Sequence, residues 1–76
     1  MINELDTVVL TRDISEHGLE RGDVGAVVHR YADGGAFEVE FITAEGSTVA
    51  LLTLSARDLR PVGRNDLLHV RELMPA

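Results

Sequence analysis

The run Ala36-Phe37-Glu38-Val39-Glu40-Phe41-Ile42 alternates apolar and acidic side chains through its middle. Successive side chains of a β-strand point to opposite faces. Phe37, Val39 and Phe41 therefore share one face and Glu38 and Glu40 the other, one face core and one wet. Asp33-Gly34-Gly35 precedes the run and Ala44-Glu45-Gly46 follows it. Both are tight-turn sequences, because glycine takes positive φ without steric cost. The stretch predicts a strand with a hairpin at each end.

Reading outward, Val24 to Tyr31 predicts the strand before it, with Gly25 marking a bulge or sharp bend. Ser47 to Leu54 predicts the strand after it. There Val49 and Leu51 share one face while Ala50, Leu52 and Leu54 share the other, and a strand apolar on both faces wants cover on both. The first strand is Thr7-Val8-Val9-Leu10, β-branched and closed by Thr11. The polar stretch from Arg12 to Asp23 is too long for a hairpin turn, and Ile14 and Leu19 are its only large apolar anchors. Ser55-Ala56-Arg57-Asp58 has the form of a helix start and predicts a single 3₁₀ or α turn. Leu59-Arg60-Pro61-Val62 closes the set as a short strand that Pro61 confines to an edge.

The order is strand, long loop, strand, tight turn, strand, tight turn, strand, helical turn, short strand. No helix of adequate length lies between strands, so a βαβ arrangement fails. An OB barrel would want a helix where only Ala44-Glu45-Gly46 stands. The expectation is all-β: a small five-stranded SH3-like barrel over residues 1–62. Residues 63–76 form an extension with a short amphipathic helix. Asn65 would cap it, Leu67, Val70, Leu73 and Met74 fall near helical spacing, and Pro75 ends it. Asp66 early and Arg71 late suit the helix dipole. So short a helix is not stable alone; it must dock, on this chain or another, and the second face of the fourth strand is its natural dock.

Composition narrows the function. Seventy-six residues make one domain. With no cysteine there is neither a disulfide nor a zinc–thiolate site. A net charge of −6 repels phosphate backbones and makes nucleic acid an unlikely partner. All seven basic residues are arginine; genome composition is one reading, bidentate pairing with carboxylates the other. No run approaches a membrane span, and acids stand where a signal peptide needs bases. A soluble cytoplasmic protein is expected.

Leu5-Asp6-Thr7-Val8-Val9-Leu10-Thr11-Arg12-Asp13 and Gly18-Leu19-x-x-Gly22-Asp23-Val24-Gly25-Ala26-Val27-Val28, with Phe37-Glu38-Val39-Glu40-Phe41, Gly46-x-Thr48-Val49-Ala50 and Leu59-Arg60-Pro61, together resemble a small bacterial family, domain of unknown function 4926. The resemblance covers residues 2 to 62. It implies a stand-alone or accessory bacterial domain and carries no activity. Gly22-Asp23-Val24-Gly25-Ala26-Val27-Val28 is also similar to the loop-strand opening of KOW-type ribosomal and transcription-factor barrels, and of nitrile hydratase β subunits. Likeness of fold does not carry function.

No motif for catalysis, metal or cofactor stands out. His17, His29 and His69 lie on a loop, a strand and the extension. There is no thiol, and no serine sits in a glycine elbow. The Gly22-Asp23-x-Gly25 turn reads as a tight entry to the second strand, because Asp23 would repel an anion. Glu38 and Glu40 form an acidic stripe, read either as a solvated face or as a dock for a basic partner. The long loop sits where SH3 domains take proline-rich ligands, but those grooves need aromatics and only Tyr31 is near. It could bind by charge, through Asp13 and Glu16. The expected function is a non-enzymatic protein-interaction module, of accessory, immunity or antitoxin-like kind. It would bind another protein or its own copies through Asp13, Glu16, Glu38, Glu40, Leu67, Val70 and Leu73, with no cofactor. The alternatives are a KOW-like nucleic-acid or ribosome-associated module, which needs Arg57, Arg60, Arg64 and Arg71 to gather on one side, and an accessory domain of a larger enzyme.

Overall fold

The computed structural model describes residues 1–73. Its strands are β1 (Thr7–Leu10), β2 (Val24–Arg30), β3 (Ala36–Ile42), β4 (Thr48–Ser55) and β5 (Leu59–Pro61), with 3₁₀ turns at Ser15–His17 and Ala56–Asp58. All pairings are antiparallel, in the order β4-β3-β2-β1-β5.

The connectivity forces this sheet to curl. β4 and β5 are its two edges, yet only Ala56–Asp58 joins them. Flat strands at their usual spacing would hold the edges about 19 Å apart. The link from Ser55 to Leu59 reaches about 14 Å even when fully extended, and a 3₁₀ turn is shorter. The sheet therefore wraps round a core. Val8 and Leu10 of β1, Val27 of β2, Phe37, Val39 and Phe41 of β3, Ala50 and Leu54 of β4 and Leu59 of β5 gather in one buried cluster, joined by Ile2, Ile14 and Leu19. The two loop anchors hold each other: the Ile14 and Leu19 amides each donate to the other's carbonyl.

Alternation on β3 gives the expected faces, with Phe37, Val39 and Phe41 buried and Glu38 and Glu40 half-buried on the outer side. Gly25 is needed because of what it faces. A Cβ there would stand 2.7 Å from Val39 Cγ1 and 2.8 Å from Phe41 Cε1, closer than carbon atoms approach. The ladder irregularities fall next to Val28 on β2 and Val49 on β4.

Residues 63–73 differ from the expectation. No helix forms between Asn65 and Leu73; Met74, which the helix would have included, lies outside the described residues. Two competing interactions explain the change. Asp66 does not act as an early helix acid: its carboxylate takes the Gly63 amide at 2.6 Å, and its own amide donates to the Gly63 carbonyl. That closes a local turn. Arg71 leaves the chain axis to reach a carboxylate 48 residues away. The segment does not cover the second face of β4, where Leu51 stays 56% exposed.

Candidate docking surface

The surface is built by arginines held against carboxylates. Arg71 donates from Nε to Asp23 Oδ1 at 2.8 Å and from a terminal nitrogen to Asp23 Oδ2 at 2.5 Å. The same nitrogen donates to the Gly18 carbonyl at 2.9 Å, and the other terminal nitrogen lies 3.6 Å from Glu20. Asp23 is prepared for this by its turn, accepting the Glu20 amide at 2.8 Å. The Arg71 guanidinium holds the Asp23 carboxyl below its ordinary range, outweighing burial, which acts the other way. The Gly22-Asp23 turn thus presents a carboxylate to a cation, consistent with the entry-turn reading.

A second fork lies at the start of the same segment. Arg60 donates to both carboxylate oxygens of Asp66, at 2.7 and 3.1 Å, which lowers the Asp66 carboxyl, with help from the Gly63 amide, and raises Arg60. Bidentate pairs of this kind fix geometry as well as charge. Between the two clamps run Leu67, Leu68, His69 and Val70. Leu67 is 90%, Leu68 71% and Val70 91% exposed. Behind them a shallow groove of about 440 Å³ is lined by Leu19, Val24, Phe41, Val49, Arg71 and Leu73, among others.

The other expected residues divide. Asp13 is a staple of its loop: its carboxylate takes the Arg21 amide at 2.8 Å. Glu16 is exposed on the 3₁₀ turn Ser15–His17. Glu38 accepts the hydroxyls of Tyr31 and Thr53, and Glu40 accepts that of Thr48 at 2.8 Å. The acidic stripe therefore knits β3 to its neighbours as well as facing water. Glu38 raises the Tyr31 phenol above its ordinary value. Leu67 and Val70 project outward, and Leu73 is near the groove.

Sequence reading missed Asp23, Asp66, Arg60 and Arg71 as one device. The signal was an all-arginine basic complement beside many acids; three of the seven arginines (Arg12, Arg60, Arg71) hold aspartates in this structure. Arg60 and Arg71, two of the four that a nucleic-acid face would need, are thereby neutralised. Among the described residues, no group of three or more metal-ligating side chains converges, and no helix is long and apolar enough to cross a membrane.

Comparison with curated proteins and with solved structures returns no match. A family model does match, over residues 4–61, from just before β1 to the last residue of β5. The chain belongs to the family described as domain of unknown function 4926.

Proposed function

We propose that this chain is a non-enzymatic protein-interaction module, an SH3-like barrel of accessory kind, and that residues 64–73 are its docking segment. One observation carries the reading. Three large apolar side chains, Leu67, Leu68 and Val70, stand in solvent on a segment pinned at both ends by arginine–aspartate forks. Apolar side chains displayed on a backbone that is already held have little ordering cost left to meet when a partner arrives. The chain's net charge of −6 favours a partner with a basic rim round an apolar centre.

A photo-crosslinking residue at Val70, in the full chain expressed in its source cell, tests this. The expected result is a discrete crosslinked protein that vanishes when Leu67 and Leu68 are changed to Ser. Absence of any product above that from a probe at the exposed Ala32 would overturn the reading.

A further inference from the structure

We infer that the free edge of β4 pairs with β4 of a second copy, antiparallel and centred on Leu52, giving a two-fold dimer. The inference stands on the edge itself and is independent of the docking segment.

β4 is eight residues long, Thr48-Val49-Ala50-Leu51-Leu52-Thr53-Leu54-Ser55, with no charge and no proline. Edge strands are normally protected by charge, proline, brevity or cover. The opposite edge shows such protection: β5 is three residues ending in Pro61, with no amide at that position to donate. Strand-to-strand growth of β4 onto β5 of another copy is therefore blocked. The closed arrangement left for β4 is with itself.

The ladder phase shows which groups are open. The Ala36 carbonyl accepts from Tyr31 on the β2 side, while the Gly35 carbonyl accepts from Ala56 on the β4 side. Alternation along the antiparallel ladder then turns Ala50, Leu52 and Leu54 toward β3. Leu51, Thr53 and Ser55 turn their amides and carbonyls outward. The Ser55 amide is already taken by Asp58 at 3.1 Å, leaving Leu51 and Thr53. Two copies paired about Leu52 place Leu51 of each opposite Thr53 of the other. These two residues then exchange both hydrogen bonds on each side of the axis, within the regular stretch beyond the irregularity at Val49.

The side chains agree with a second copy. The paired residues are neutral, so a chain of net charge −6 meets its copy along an uncharged strip. Antiparallel pairing also brings the β4 end that carries Glu45 beside the partner's end that carries Arg57, and Arg57 makes no ion pair among the described residues. On the outer face the exposed Leu51 gains the partner's Thr53 as neighbour.

Sedimentation of the full chain across a dilution series tests the proposal. The mass should rise to twice 8.3 kDa with concentration, and Leu51→Lys should return it to that of one chain with its β-sheet circular dichroism unchanged. In the same series, amide exchange at Leu51 and Thr53 should slow as concentration rises, while that at Leu67 to Val70 does not. A single-chain mass throughout overturns the proposal. So does a dimer that survives Leu51→Lys, or one whose protection appears at Leu67 to Val70. Changing Leu67 and Leu68 to Ser leaves this dimer intact, so its failure and that of the docking reading are told apart.

Discussion

At the scale of single residues, the backbone and side-chain contacts make sharp demands at a few positions. Gly25→Ala should destabilise the fold by about 1–3 kcal/mol in denaturant titration, as overpacking does, because Val39 and Phe41 fill the space a Cβ needs. The sequence marked Gly25 as a bulge or bend, whereas Gly25 pairs in register with Val8 and the irregularity of β2 falls next to Val28. That Val39 and Phe41 press on Gly25 from the next strand was not legible, since only the register places them there. Leu5 makes the opposite case. It has φ of +73° and is 86% exposed, so it carries left-handed strain with little burial in return. Leu5→Gly should be neutral or stabilising by about 1 kcal/mol, measured the same way. Tyr31 is the only tyrosine in a chain without tryptophan, so its phenolate absorbance reports on one site. Glu38→Gln should move that titration to lower pH, toward the ordinary value, because the Glu38 carboxylate is what disfavours the phenolate.

At the scale of elements, strand existence was legible almost throughout and the end of the chain was not. The β3 alternation, the glycine turns and the proline at Pro61 each encode their structure within a few residues, and local codes can be read locally. Helical spacing at Leu67, Val70 and Leu73 is equally local, but it was outbid by contacts the sequence does not announce. A run of that length has little helix stability of its own, whereas Asp23 offers Arg71 a prepared acceptor from 48 residues away. Arg71→Ala should free the segment at a global cost of about 1–3 kcal/mol, because the pair is partly buried and its hydrogen bonds are charge-assisted. Arg71→Lys should restore it only in part, because a lysine cannot make the fork. Faster amide exchange at residues 67–73, with the strands of the sheet unchanged, is the readout. Of the expected docking residues, Leu67 and Val70 are displayed, whereas Asp13 is a loop staple; a carboxylate's acceptor role depends on which amide the fold brings to it.

At the scale of the whole molecule, three aspartates make the segment and its base sensitive to acid. Asp23 is lowered chiefly by Arg71 and Asp66 by Arg60. Asp58 is pushed up by burial but brought lower overall by Arg12 and by the Ser55 amide and hydroxyl. A carboxyl lowered in the folded state stabilises above its unfolded value and loses that contribution as pH falls through its folded one. Stability should therefore hold from neutrality down to about pH 4, then decline, with Asp58→Asn showing a shallower decline in the same denaturant series. Residues 64–73 form a segment that is neither helical nor free. Backbone ¹⁵N relaxation and chemical shifts over residues 64–73 measure that directly. Order parameters at Asp66 and Arg71 should lie close to the rigid value of about 0.85, with shifts that are not helical. Values below about 0.6 throughout, or helical shifts with Leu67 and Val70 protected, would contradict this.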